Sequence, residues 1–224
     1  MVFHEHKCIY FHIGKTAGVS VERWLRDERR DARIADHTSM FGWDAQEGVY
    51  LQHATPKVIQ RKVGQDTFDS YYKFTVVRNP FARLVSVYYY LYDQHVKQFG
   101  TFENYVESLP SLVTAKACER GSHHIPQVNY TQIDGENICD HIAHFETLPD
   151  SLNPVRQQLD LAIPLPKHNV YRHKARTNLS IGSYYTPSML GIVLQIYSRD
   201  FEAFGYSNDP GHLQPGEMST PSQK

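Results

Sequence analysis

Residues 71–90 read YYKFTVVRNPFARLVSVYYY, and a strand and a helix meet inside them. Tyr71 to Val77 is dense in aromatic and β-branched residues, as a buried strand requires. Asn79-Pro80 follows, a side-chain cap and then a proline at the first helical position. Beyond it Phe81, Leu84, Val85, Tyr88 and Leu91 recur at spacings of three and four, which is one apolar face of a helix. Arg78 is left at the C-terminal end of the strand.

The same sequence of parts occurs upstream. Lys7 to Ile13 (KCIYFHI) predicts a buried strand that ends at Gly14, and Val21, Trp24 and Leu25 mark a helix over 19–28. Residues 29–48 read as a loop and 49–51 as a short strand. Thr55-Pro56 opens a helix to about Val63. Thr101 to Leu109 is a further helix, and 110–135 is irregular. His141 to Phe145 predicts a strand and Ser151 to Leu161 a helix. Residues 164–186 form a basic loop. Thr186-Pro187 then caps a last helix with Leu190, Val193, Ile196, Tyr197, Phe201 and Phe204 on its apolar face. Strands alternating with helices predict an α/β protein, a P-loop-like three-layer fold with a central, largely parallel sheet flanked by helices. One domain is expected over 1–206, with 207–224, rich in Pro, Gly, Ser and Thr, a disordered tail.

Composition restricts the function. A formal net charge of -1 argues against broad affinity for nucleic acid or anionic membrane, so an anion site must be local. Three widely spaced cysteines are no disulfide framework and point to a reducing compartment. No secretory leader pattern and no run of apolar residues long enough to span a bilayer is present, and a cytoplasmic protein is expected.

Two places suit phosphate-class anions. Gly14-Lys15-Thr16-Ala17-Gly18-Val19-Ser20 lies between a strand and a helix, where backbone N–H groups, the positive helix end and the Lys15 ammonium converge. Gly14 and Gly18 allow close approach of a ligand, and Thr16 and Ser20 offer hydroxyls. The loop is not the nucleoside triphosphate pattern G-x-x-x-x-G-K-[ST], whose first glycine would fall on Ile9, inside the strand. The second place is Arg78, with Ser86 eight residues on, along the helix that Pro80 starts. Kinases and ATPases often carry a metal-binding Asp at such a strand end; a guanidinium there suits a bidentate phosphate and repels a metal. A metal-free ligand with two separated anionic ends fits, and 3'-phosphoadenosine-5'-phosphosulfate (PAPS) is one.

The chain resembles the PAPS-dependent sulfotransferases, the family that includes carbohydrate 2-O-sulfotransferases and small bacterial members. Ile13–Ser20 resembles its 5'-phosphosulfate loop, and Phe74–Tyr90 its 3'-phosphate motif. His53-Ala54-Thr55 resembles its acceptor-side histidine segment. His124-Ile125-Pro126-Gln127, Phe145-Glu146-Thr147-Leu148 and Tyr197–Tyr206 (YSRDFEAFGY) are similar as well. Gly14 stands where the family usually has proline and Val19 where threonine is usual, so Ser20 or backbone amides must carry more of the phosphate contact.

The resemblance and the chemistry together assign roles. In-line sulfuryl transfer needs a base, a cation for the leaving oxygen and donors to hold the cofactor. Lys15 is the expected cation. His53 is the expected base, with an unperturbed pKa suited to neutral pH. Gly14, Lys15, Thr16, Ala17, Gly18, Val19, Ser20, Arg78 and Ser86 are expected to bind PAPS. Arg172 and Lys174, with Arg176, close over the 3'-phosphate or meet an anionic acceptor. His12 and His173 are weaker candidates for ligand contact. No metal is expected: His141 and His144 are three apart on a strand and so point to opposite faces. Tyr88-Tyr89-Tyr90 reads as helix packing with an amphipathic rim. The acceptor is a hydroxyl, with a saccharide implied by the resemblance, and oligomeric state is open. Two alternatives stand beside this reading: a nucleotide-dependent small-molecule kinase, and a non-catalytic nucleotide-binding module.

Overall fold

The computed structural model describes residues 1–26, 31–114, 122–166, 179–211 and 213. The first half of the chain runs β1 (Val2–Phe3), β2 (Cys8–Phe11), α1 (Gly18–Leu25), β3 (Trp43–Asp44), β4 (Val49–Tyr50), α2 (Pro56–Val63), α3 (Gln65–Ser70) and β5 (Tyr72–Val77). Then come α4 (Pro80–Tyr90), α5 (Tyr92–Phe99), α6 (Phe102–Thr114), β6 (Gln132–Ile133), β7 (Glu136–Asn137) and β8 (His141–His144). Helices α7 (Asn153–Gln158), α8 (Pro187–Ile196) and α9 (Ser198–Phe204) complete the order.

The central sheet has the order β1-β2-β5-β8, with β2, β5 and β8 parallel and β1 antiparallel at one edge. Side-chain alternation along these strands gives the sheet two buried faces. Cys8, Tyr10, Phe74 and Val76 meet Val21, Trp24 and Leu25 of α1 and Val155 of α7 on one side. Ile9, Phe11 and Val77 meet Val58 and Ile59 of α2 and Phe68 of α3 on the other. Helices on both faces of a mostly parallel sheet make the expected three layers. A third cluster is helical: Phe81, Leu84, Val85 and Tyr88 of α4 pack on Tyr105, Val106 and Leu109 of α6 and on Met189 and Val193 of α8.

The parallel register aligns the C-terminal ends of β2 and β5, pairing Phe11 with Thr75. Both candidate anion sites therefore open at one end of the sheet, where such sheets bind ligands. Asn79 caps α4 as its sequence predicts, its Oδ1 accepting from the N–H groups of Phe81 and Ala82 at 3.0 and 3.4 Å. Thr55 precedes α2 in an extended conformation without capping it through its side chain.

Several elements differ from the sequence reading. The loop expected over 29–48 contains β3, which pairs with β4 in a hairpin. Ion pairs fasten the hairpin to α2: Lys62 Nζ lies 3.0 Å from Asp44 Oδ2, and Arg61 Nη2 lies 2.7 Å from Glu47 Oε1. Helices α3 and α5 are short, and their apolar periodicity is too brief to read from the chain. The single last helix is two, parted at Tyr197. That break lets the Tyr197 hydroxyl donate to the His124 carbonyl and lets Asp200 accept from the N–H groups of Gln127 and Val128. Most of the basic loop, 167–178, and the tail from 214 lie outside the described residues.

Candidate anion-binding and imidazole site

The turn from β2 into α1 is built unlike an ordinary glycine loop. Its left-handed residues are Lys15 (φ 71°) and Ala17 (φ 68°), neither of them glycine. Such conformations in residues with a Cβ are uncommon and concentrate at functional sites. The two glycines serve a different need. A Cβ on Gly14 would run into the His123 ring, and one on Gly18 into the His12 ring. The expected close approach at these glycines is therefore made by imidazoles of the protein itself.

Among the described residues, the N–H groups of Thr16, Ala17, Gly18 and Val19 have no acceptor. Four donors at a helix entrance form a concentrated anion cradle. The Thr16 hydroxyl turns inward and donates to the Ile13 carbonyl at 2.8 Å, so what Thr16 offers outward is its N–H. Ser20 is buried, whereas Val19 is 44% exposed on the first turn. Lys15 Nζ stands 3.9 Å from the centroid of the Tyr90 ring at the end of α4, a cation–π contact that holds the ammonium over the loop.

Arg78 is brought to the same place. Its Nη1 donates to the Lys15 carbonyl at 3.2 Å, and its guanidinium lies 4.1 Å from the Phe145 ring centroid. A network behind the strand end fixes its backbone. Gln127 accepts from the Arg78 N–H at 2.9 Å and donates to the Arg78 carbonyl at 2.8 Å. Glu146 accepts from the Asn79 N–H at 2.8 Å and from the Tyr206 hydroxyl at 3.0 Å. Burial of the Tyr206 phenol, then the Glu146 carboxylate beside it, pushes its pKa well up, so it stays a donor. The scattered segments around Gln127, Glu146, Asp200 and Tyr206 thus have one shared role, to hold Arg78 and Asn79. Ser86 is half-buried on α4, one turn before Tyr90 on the same helical stripe.

Next to the loop stand three imidazoles. His53 Nδ1 lies 3.0 Å from the His12 carbonyl oxygen, and His53 Nε2 lies 3.4 Å from His123 Nε2. The His12 and His53 ring centroids are 4.4 Å apart, and those of His53 and His123 are 4.8 Å apart. Burial is the main cause holding all three below the usual imidazole range, with the Lys15 ammonium adding to it. His53 is brought down to about 4. All three rings are neutral at neutral pH.

Two residues that no sequence signal singled out hold the array. Arg83, fully buried in α4, donates from Nη1 to the His123 carbonyl and from Nη2 to the Ile125 carbonyl, both at 3.0 Å. Its place among apolar helix positions looks like an ordinary polar insertion. The Tyr130 hydroxyl lies 3.1 Å from the carbonyls of both His53 and Ser122, tying the two histidine segments together.

The other candidates fall elsewhere. Arg172 and Lys174, with His173 and Arg176, lie outside the described residues. His141 and His144 turn to different carbonyls, those of Ser151 at 2.7 Å and Phe204 at 3.0 Å. Among the described residues no group of three or more His, Cys, Asp or Glu side chains is placed to hold a metal ion, and no helix is long and apolar enough to cross a membrane. Tyr88 is buried among aromatic rings, while Tyr90 is 47% exposed and faces Lys15.

No curated protein and no solved structure matches the chain. The model of the sulfotransferase family matches residues 1–207, which takes in the Lys15 loop, the Arg78 strand end, the imidazoles and the network behind them. The chain belongs to the sulfotransferase family.

Proposed function

We propose that this sulfotransferase takes its sulfuryl group from PAPS and delivers it to a saccharide hydroxyl in the cytoplasm. The observation that carries the reading is the Arg78–Lys15 contact, which joins the strand-end cation to the amide-lined loop so that one extended anion reaches both. The N–H groups of Thr16 to Val19, in the loop Gly14–Ser20, and the Lys15 ammonium would hold the phosphosulfate end. Arg78, a guanidinium with five donors, would take the 3'-phosphate together with Ser86. Arg172 and Lys174 are proposed as further cations over that phosphate.

When bound, the donor supplies an activated sulfuryl group whose departing phosphate oxygen gathers negative charge. Lys15, held over Tyr90, is the cation that meets it. The proton of the acceptor hydroxyl goes to the imidazole pair His53–His123, kept neutral and able to accept. The saccharide rests on the likeness of His53–Thr55 and Phe74–Tyr90 to carbohydrate sulfotransferases. The cytoplasm fits the two described cysteines, Cys8 and Cys139, both free buried thiols.

Calorimetry with 3',5'-adenosine bisphosphate, beside ATP with Mg²⁺, tests the donor. Tighter binding of the bisphosphate without metal is expected, and tighter binding of ATP with metal would replace this reading with a kinase. PAPS turnover against dextran, a chitin oligomer, 4-nitrophenyl glycosides and simple alcohols tests the acceptor. Sulfation of the alcohols alone would remove the saccharide.

A further inference from the structure

We propose that Nδ1 of His123 is the atom that takes the acceptor's proton, with His53 a positioning residue behind it. This rests on the sulfotransferase reading above and concerns which ring performs its proton transfer.

Hydrogen-bond polarity decides which ring is basic. A carbonyl oxygen can only accept, so the 3.0 Å contact between His53 Nδ1 and the His12 carbonyl requires the proton on Nδ1. A neutral imidazole has one N–H, which leaves the His53 Nε2 as a lone pair. That lone pair faces His123 Nε2 at 3.4 Å. Two lone pairs do not attract, so His123 Nε2 must carry the hydrogen and donate it. His123 is then left with its own lone pair on Nδ1. The chain runs from the His12 carbonyl through His53 to His123, and its open, basic end is His123 Nδ1.

The opposite polarity needs a doubly protonated His53. Burial opposes that charge, and the Lys15 ammonium adds to the opposition. Among the described residues, the charged and titratable groups around His123 are Lys15, Arg83, His53, His124 and the Tyr90 ring, and none is an anion that would favour imidazolium in the ligand-free protein.

Position agrees with polarity. A Cβ on Gly14 would lie nearest Cδ2 of His123, then Cγ at 3.0 Å and Nε2 at 3.1 Å. The ring therefore rests its Cδ2 edge on the anion loop and turns its Nδ1–Cε1 side away from it. Among the described residues, His123 Nδ1 has no hydrogen-bond partner. His53 has both nitrogens engaged, by the His12 carbonyl and by His123. Arg83 fixes the His123 carbonyl, and Tyr130 ties the preceding residue to His53, so the backbone that carries the outer ring is held against the inner one.

The acceptor oxygen forms its bond to sulfur as its proton passes to His123 Nδ1. The bond between sulfur and the departing phosphate oxygen breaks, and its electron pair stays on that oxygen beside Lys15. His123 becomes an imidazolium, still donating through Nε2 to His53, and returns its proton to solvent from Nδ1.

Long-range ¹H–¹⁵N spectra of the whole protein labelled with ¹⁵N-histidine, alone and with 3',5'-adenosine bisphosphate, read the tautomers directly. His53→Gln and His123→Gln assign the signals. His53 as the Nδ1–H form and His123 as the Nε2–H form are expected; His53 as the Nε2–H form would overturn the proposal. PAPS turnover with the acceptor panel above reads the roles. His123→Ala should lose about 10²- to 10⁴-fold in kcat and regain part of it with added imidazole. His53→Ala should lose less and gain nothing from imidazole, and rescue of His53→Ala alone would overturn the assignment. Failure of the wild-type protein to bind the bisphosphate would count against the donor reading, while the tautomers would still decide this one.

Discussion

The Arg78 side chain reaches the backbone of Lys15: Nη1 of the first donates to the carbonyl of the second at 3.2 Å. The two residues follow neighbouring parallel strands and are 63 positions apart in sequence. Their contact makes the loop after β2 and the turn after β5 one surface.

Arg78→Lys should therefore separate charge from geometry. A lysine keeps the positive charge but not the fork that can hold both a carbonyl and a phosphate. Loss of one charge-assisted hydrogen bond, about 1.5–3 kcal/mol, corresponds to roughly 10- to 150-fold in affinity for 3',5'-adenosine bisphosphate. Calorimetry checks the loss, and an unchanged urea midpoint checks that the fold survives. Full affinity in the lysine variant would remove Arg78 from the phosphate site.

Gly18→Ala and Gly14→Ala should fail in different ways. The added methyl at 18 meets His12, a buried ring with Tyr10 stacked on it at 5.8 Å and little room to move. Overpacking of this kind costs about 1–3 kcal/mol, visible as a lower urea midpoint. At 14 the methyl meets His123, which is only half-buried and can swing aside. That variant should keep most of its stability and lose turnover.

What the chain reveals by itself is the local half of this site. Tyr71–Tyr90 can be read as strand, turn and helix because β-branching, the Asn79 cap and Pro80 each act within a few residues. Lys15 and Arg78 stand out because each lies in a turn between a strand and a helix. The other half is tertiary. Nothing near Gly18 in sequence says that the ring of His12 lies against it, and nothing near Arg83 announces carbonyls 40 and 42 residues away. The break at Tyr197 is hidden for the same reason: Tyr197 and Phe201 continue the apolar spacing of α8, while the partners that require the break, His124, Gln127 and Val128, come from a distant loop.

Arg83→Met tests that hidden half. Methionine fills much of the same space but leaves the carbonyls of His123 and Ile125 without their donors. An unsatisfied buried group costs about 1–3 kcal/mol, so the variant should be destabilised by roughly 2–6 kcal/mol if neither carbonyl finds water. Turnover should fall further than the folded fraction, because the segment that carries His123 is released. Equal losses of turnover and of folded protein would make Arg83 a purely structural residue.

Stability should also fall as the solution is acidified, and the sign follows from the buried imidazoles. His53 and His124 are each held down to about 4, His53 by burial and Lys15, His124 by burial with His95 and Arg83 beside it. His12 and His123 are lowered as well, again chiefly by burial. In the unfolded chain these rings take up protons near the ordinary imidazole pKa of about 6.5. Below that pH the unfolded state binds more protons than the folded state, so the stability present above it is lost progressively, the share of His53 and His124 being fully lost at about pH 4. Urea midpoints taken across this range should decline in the wild type. His124→Gln removes one contributing ring that lies outside the His53–His123 pair, and should make the decline shallower, with the midpoint lowered less at acid pH than at neutral pH. Bound 3',5'-adenosine bisphosphate adds negative charge beside Lys15 and favours the protonated rings of His53 and His123, so part of the acid loss should be recovered with the ligand present. A midpoint that stays flat from about pH 7 to about pH 5 would mean that these rings are already solvated in the folded protein.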